Sequence, residues 1–301
     1  FSWPEKISAV AGWKVGESMD GLTLKKLLRK ADENGYAVPS FNYSDIWDFK
    51  AIVQAAEEEE APVMVASNPL VVGELGAKFC AGFANAAMGQ AEVPLIHHLD
   101  HSFTVEMCRD CIDSGYPSVM IDASKHDLET NIQMVRQVMD YARPKHVHVE
   151  GEIGKIKGKG IEGDFKGGDF LAEVEDAAAL VKATQVDSLA VGIGSAHGFY
   201  KGKPELNFKR LAEINKAVDT PLVLHGGTGI PQEDIQRAIK EGINKVNVGT
   251  IIHCTYMNNL REELNRAGDN PYTLDVMKAV YPKVKEVVKR WIRVCMANGK
   301  A

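Results

Sequence analysis

Three of the nine histidines in this 301-residue chain are set apart by their neighbours. His101 follows Asp100, His197 sits in the glycine-rich run 192–198, and His225 precedes Gly226-Gly227-Thr228-Gly229. Neutral imidazoles suit a borderline divalent ion such as zinc, and three of them leave a coordination position open for substrate or water. The glycines point to a second chemistry. They let backbone N–H groups close on an anion, and a helical pattern opening at Pro231 adds a favourable dipole. A metal and a phosphate are therefore expected side by side.

These residues can work together only if the fold gathers them. Short β-branched runs alternate with longer amphipathic stretches along the chain. The runs are 36–41, 62–66, 94–99, 118–121, 146–152, 188–193, 221–224 and 245–248, and they predict eight strands. Between them lie helical patterns over 49–60, 104–114, 128–142, 173–184, 208–218 and 231–241, with an earlier one starting at Thr23. Strand–helix alternation implies right-handed crossovers and a parallel sheet, and eight units close into a (β/α)8 TIM barrel. The competing doubly wound sheet normally carries a G-x-G-x-x-G turn after an early strand, and none of the early strands is followed by one. A last amphipathic stretch, 281–296, predicts a helix docked on the barrel or on a partner subunit. The expectation is one catalytic domain over 1–301 with extra terminal helices.

On this scheme the reactive residues fall at strand ends. Asp100 and His101 follow the third strand, Asp122 ends the fourth and Glu152 the fifth. His197 follows the sixth, His225 the seventh, and Asn247 lies near the end of the eighth. All sit on the carboxyl face, where barrel active sites are built. His101, His197 and His225 are the expected ligands. Barrel enzymes often bind phosphate after strands seven and eight, which marks Gly226, Gly227, Thr228, Asn247 and Thr250. His98 shares a face with Asp100 but lies deeper, as a core residue, and alternation turns His97 the other way. His146 and His148 fall at the wrong end of their strand, and His126 belongs to a solvated loop.

Composition sets outer limits. The chain is 45% hydrophobic and 25% charged, with a net charge of −6 and both signs interspersed. Neither nucleic acid nor an anionic membrane is an expected partner. No apolar run approaches the ~20 residues needed to span a bilayer. Residues 1–13 show no basic segment leading an apolar core, so a cytoplasmic location is expected. Five cysteines fit a reducing compartment, and Cys108-Arg-Asp-Cys111 reads as inert helix positions.

Seven segments, in order, resemble class II, metal-dependent ketose-bisphosphate aldolases of the fructose or tagatose type. They are Pro39-Ser40-Phe41-Asn42, His98-Leu99-Asp100-His101, Met120-Ile121-Asp122-Ala123-Ser124, VEGEIG at 149–154, GSAHG at 194–198, VLHGGTG at 223–229 and KVNVGT at 245–250. The resemblance implies zinc on His101, His197 and His225, with Asp100 as the catalytic acid and base. It gives Glu152 and Asp122 an alternative or second metal site and allows a monovalent cation. It places Asn42, Gly198, Gly226, Gly227, Thr228, Asn247 and Thr250 around a dihydroxyacetone-phosphate half, and it implies a homo-oligomer, dimer or tetramer. The implied reaction is reversible cleavage of a ketose 1,6-bisphosphate to dihydroxyacetone phosphate and an aldehyde such as glyceraldehyde 3-phosphate. The alternative is a sugar-acid phosphate with an unphosphorylated aldehyde product.

The sequence also departs from the family. The loop expected to move, 153–170, usually carries Gly-Gly and then acidic residues, yet reads KIKGKGIEGD over 155–164. Glu162 or Asp164 would supply its second proton-transfer carboxylate. Asn68 stands where Ser or Thr is common, and His253 where many members have Arg or Lys. Losing a permanent charge would weaken the hold on a distal phosphate, unless Lys201, Lys203 or Arg261 compensates. Three rivals remain open. A Schiff-base aldolase would need a desolvated lysine, for which Lys245 and Lys125 are poor candidates. The others are a metal-dependent hydrolase and a non-catalytic phosphosugar-binding barrel.

Overall fold

Eight parallel strands close on themselves in sequence order. They are β1 (Val38–Asn42), β2 (Val63–Ser67), β3 (Leu95–Ser102), β4 (Ser118–Ile121), β5 (His148–Ile153), β6 (Ser188–Val191), β7 (Leu222–Leu224) and β8 (Ile243–Val248). The barrel shuts where Val38–Phe41 pair in register with Lys245–Val248. The computed structural model describes residues 21–155, 159–160, 163–164, 170–198 and 204–301. Within the described part of the 153–170 segment, Lys159–Gly160 pairs antiparallel with Gly163–Asp164.

All eight strands lie where the apolar runs predict them, with ends shifted by at most three residues. The largest shift matters most. β3 runs on through Asp100 and His101 to Ser102, so both reactive residues belong to the strand. β5 starts at His148, leaving His146 to close a short 3-10 turn with φ 56°.

Eleven helices surround the barrel among the described residues. They are α1 (Gly21–Glu33), α2 (Ile46–Glu58), α3 (Pro69–Leu75), α4 (Ala77–Met88), α5 (Val105–Asp113), α6 (Leu128–Ala142), α7 (Val174–Thr184), α8 (Phe208–Ala217), α9 (Gln232–Lys240), α10 (Thr250–Ala267) and α11 (Thr273–Val294). Asp45 and Asp48 form a reciprocal capping box that starts α2. α3, α4 and α10 are additional to the helices marked by periodicity. α11 begins earlier than expected and continues through Pro282. It docks on α2, where Lys289 reaches Glu58 at 2.9 Å and Arg293 reaches Glu59 at 2.8 Å.

The main apolar core lies between the strands and the helical ring, with Ile52, Val135, Leu180, Ile235 and Val284 fully buried there. A separate small cluster of Met120, Ala190 and Val223 comes from alternate positions of β4, β6 and β7. Polar side chains also reach the barrel interior, among them His98, Glu150 and Lys245, and others at the carboxyl rim build the site. No helix among the described residues is long and apolar enough to cross a membrane.

Candidate metal centre and active site

Adjacent strand residues normally face opposite sides of a sheet, yet Asp100 and His101 both reach the same site. A β-bulge makes this possible. Leu99 pairs with Val119 and Ser102 with Ile121, so three steps on β3 match two on β4. His101 takes the left-handed conformation, φ 52°, which costs a non-glycine residue about 1–3 kcal/mol. That local cost brings a carboxylate and an imidazole from consecutive positions into one cleft.

His101, His197 and His225 offer nitrogens that all lie within 4.8 Å of one another. His101 Nε2 is 2.8 Å from His225 Nδ1. The His101 and His197 ring centres are 5.1 Å apart. In tetrahedral zinc sites, with bonds of about 2.0–2.1 Å, ligand nitrogens sit about 3.3 Å apart. Small ring movements would satisfy that spacing, so the three imidazoles fit a divalent ion. A second group, His101 with Asp122 and Glu152, also falls within 4.8 Å. It uses the other edge of the His101 ring, where Nδ1 is 3.2 Å from Asp122 Oδ2 and 3.9 Å from Glu152 Oε2. Asp122 Oδ1 accepts from the Ser124 hydroxyl at 2.7 Å and its amide at 3.1 Å.

Asp100 is held from both sides. Asn42 donates to Oδ2 at 2.8 Å and Asn247 to Oδ1 at 2.9 Å. Burial opposes ionisation of this carboxyl, but its interactions with His101, His225 and Lys245 and the Asn42 hydrogen bond outweigh it, leaving the group below the usual carboxylate range. It is therefore a fixed, ionised acceptor. Burial, followed by the neighbouring charge of His101, keeps His225 well below the ordinary histidine range, as metal ligation requires.

A cleft of about 400 Å³ opens over Asp100, His101 and His197. All seven residues expected around a three-carbon phosphate line it: Asn42, Gly198, Gly226, Gly227, Thr228, Asn247 and Thr250. Thr250 opens the 18-residue α10, and Ile251 N–H donates to Thr228 Oγ1 at 3.3 Å. Gly226 has φ 69°, and a Cβ there would stand 2.4 Å from the Ala196 carbonyl oxygen. The loops carrying His197 and His225 therefore touch through backbone. His225, Asp122 and Glu152 lie deeper and do not line the cleft.

Asn68 and His253 do line it, with Leu70 and Val71. Asn68 Oδ1 is engaged as the N-cap of α3, accepting from Leu70 and Val71 N–H at 3.0 and 3.1 Å. Glu162, Lys201 and Lys203 lie outside the described residues, and Asp164 is described only as part of its two-residue strand. Arg261 is on exposed α10 surface and His126 is exposed, neither in the cleft. Lys125 is also exposed. Burial pushes the Cys108 and Cys111 thiols up to about 12, which keeps them protonated and inert.

Sequence reading misses Glu150 and weighs Lys245 only as a Schiff-base lysine. Glu150 contacts His225, and Lys245 contacts Glu150 from across the barrel. The available signal is the E-x-E spacing of β5, which puts Glu150 on the face of Glu152, together with a lysine inside an apolar strand.

A closed parallel barrel whose carboxyl rim carries a three-imidazole donor set, a clamped carboxylate and a glycine cradle is a (β/α)8 enzyme scaffold with a metal-capable centre. Comparison with known proteins narrows the class. The sequence profile of the class II fructose-bisphosphate aldolases matches residues 22–300. The chain belongs to that family and is an aldolase, a carbon–carbon lyase. It is 39% identical to a 6-phospho-5-dehydro-2-deoxy-D-gluconate aldolase of Bacillus velezensis, covering 93% of this chain and 97% of that one. It is also 39% identical to a fructose-bisphosphate aldolase of Geobacillus stearothermophilus, covering 94% and 99%. Among solved structures, the YdjI aldolase of Escherichia coli K12 superposes with a TM-score of 0.81 at 30% identity, covering 92% and 98%.

Proposed function

We propose that the protein reversibly cleaves a phosphorylated ketose, releasing dihydroxyacetone phosphate and an aldehyde. The observation that carries this is the clamped Asp100 carboxylate and a glycine cradle lining one cleft, over three converging imidazoles of which His101 and His197 reach the cleft and His225 lies beneath it. His101, His197 and His225 would hold the divalent ion, zinc in this reading, with Glu152 and Asp122 as an alternative set. When bound, the ion supplies Lewis acidity toward the carbonyl side of the breaking bond.

The chain's own residues do the rest. Asp100 takes the proton of the hydroxyl beyond the breaking bond and returns it during condensation. The amides from Asn42 and Asn247 keep it aimed. Asn247 Oδ1 is buried without a hydrogen-bond partner among the described residues, and a substrate hydroxyl would satisfy it. The phosphate sits at Gly226, Gly227, Thr228 and Thr250, against the positive end of α10. Asn42 and Gly198 border the three-carbon half. The second proton transfer is assigned to Glu162 or Asp164 of the 153–170 segment.

The aldehyde half admits two substrates, a ketose 1,6-bisphosphate or a sugar-acid phosphate. One observation favours the second: no Lys or Arg is among the described residues lining the cleft, where Asn68, Leu70 and His253 form the outer wall. A distal phosphate ordinarily takes a permanent charge. The names of the similar proteins divide between the two.

The test is triose phosphate release from fructose 1,6-bisphosphate, tagatose 1,6-bisphosphate and 6-phospho-5-dehydro-2-deoxy-D-gluconate, with and without a chelator. Release from at least one, abolished by chelation and restored by zinc, is expected. No release from any of the three would refute the proposal, and borohydride-dependent trapping of a lysine adduct would replace it with Schiff-base chemistry.

A further inference from the structure

Beneath the imidazoles lies a buried chain of polar side chains that the proposed reaction does not use. Glu150 of β5 and Lys245 of β8 are both fully buried, with Lys245 Nζ donating to Glu150 Oε2 at 2.7 Å. Ser188 Oγ donates to the same oxygen at 3.3 Å and meets His148 Nε2 at 2.8 Å. Lys245 Nζ also donates to His98 Nε2 at 3.2 Å. His98 Nδ1 lies 2.8 Å from Ser118 Oγ. β3, β5 and β8 are not neighbours in the barrel, so these bonds run through its interior.

Stability does not explain such an arrangement. Interiors of this kind of barrel are ordinarily packed with branched apolar side chains. A buried ion pair is often no more stabilising than apolar groups of the same volume. The chain does have an end point. Glu150 Oε1 lies 2.9 Å from Nε2 of His225.

The direction of that bond follows from what each group can do. A carboxylate only accepts, and Lys245 and Ser188 already occupy Oε2. The proton between Glu150 and His225 therefore resides on His225 Nε2. Nδ1 is left with its lone pair, and Nδ1 is the atom that faces His101 Nε2 at 2.8 Å. We propose that Glu150 is a positioning residue that fixes the tautomer and ring orientation of His225, making Nδ1 the metal-ligating atom, with Lys245 holding Glu150 in place. Asp122 does the same for His101 from its Nδ1 side at 3.2 Å, so the two imidazoles present complementary edges to the centre. This inference rests on the metal-centre reading above.

The experiment measures zinc affinity of the whole chain by chelator competition, with the visible spectrum of the cobalt-substituted protein as a second readout. Removing only one charge would strand its partner, so both are removed. Glu150→Leu with Lys245→Met deletes the acceptor for His225. Glu150→Gln with Lys245→Met keeps an amide carbonyl in its place. The Leu/Met variant is expected to bind zinc about 10–100-fold more weakly than the parent, the range for loss of such a supporting carboxylate. Its cobalt spectrum should change, and the Gln/Met variant should recover most of the loss. Zinc affinity within about twofold of the parent in the folded Leu/Met protein, with an unchanged spectrum, would overturn the proposal. If neither variant folds, nitrogen-15 shifts of labelled histidine in the unaltered zinc protein decide it. A protonated Nε2 and metallated Nδ1 on His225 supports the assignment, and the reverse overturns it. A parent protein that binds no zinc would instead overturn the metal-centre reading.

Discussion

Gly226→Ala tests whether the candidate centre depends on backbone contact between two loops. Alanine at φ 69° carries the left-handed penalty of about 1–2 kcal/mol. Its Cβ would also stand 2.4 Å from the Ala196 carbonyl oxygen and 2.7 Å from its carbon. Ordinary carbon–oxygen contacts begin near 3.3 Å, so the loops must part by about 0.9 Å. Ala196 adjoins His197, and residue 226 adjoins His225, so the displacement pulls two ligands apart. Misplacement of about 1 Å near reacting groups costs roughly 10²-fold in rate. The expected result is a folded protein with about 10²-fold lower kcat/KM and weaker zinc binding. Gly35→Ala is the control, with φ 66° and nothing within 4 Å. It should lose only the stability of the left-handed penalty and no activity. Unchanged rate and zinc affinity in folded Gly226→Ala would refute the claim that contact at this point spaces the two histidines.

Asp100→Ala should keep its zinc, measured by metal analysis, and lose about 10²–10⁴-fold in turnover, the usual contribution of a general acid–base; normal turnover would remove Asp100 from its role. His148 is buried and neutral, with burial pushing its pKa down to about 4, so it contributes stability that is full above about 6.5 and is lost as pH falls toward 4, because only the unfolded chain takes up the proton. His148→Gln should therefore flatten the pH dependence of unfolding free energy by about 1.4 kcal/mol per pH unit between pH 6 and 4.5, and an unchanged slope in denaturant titrations would contradict this. His253→Arg puts a permanent charge on the outer wall of the cleft and should raise kcat/KM for fructose 1,6-bisphosphate about fivefold, or ~1 kcal/mol for an exposed pair, leaving a ketose 1-phosphate that is uncharged at its far end unaffected; an unchanged ratio would place the distal phosphate elsewhere.

The barrel was legible because each of its strands is a short apolar run bounded by a helix, and the long run from β1 to β8 repeats that period eight times. The convergence of His101, His197 and His225 was legible for the same reason, since strand order alone carries successive carboxyl ends to one rim. The bulge was not. Strict alternation separates Asp100 from His101, and nothing in the composition of β3 announces an extra residue or a left-handed histidine. Glu150 and Lys245 were hidden for a different reason. Along the chain each is a charged residue in a strand, and only the closure that sets β5 across from β8 turns them into a buried pair. Asn68 read as a departure from a binding position, whereas its oxygen is engaged in starting α3.

The two halves of the cleft are built from different materials, which explains why one is easier to assign than the other. The proposed phosphate side consists of glycine backbone and the start of α10, fixed where β7 and β8 end. A change there must move a barrel strand or a metal ligand, as the Ala196–Gly226 contact illustrates. The outer side consists of side chains on helices, Asn68 and Leu70 at the start of α3 and His253 one turn into α10. These can be exchanged without disturbing a strand, so substrate preference can diverge while the bond-breaking geometry stays constant. Under the proposed reading, a barrel of this construction would be bound tightly to its three-carbon phosphate and loosely to its aldehyde.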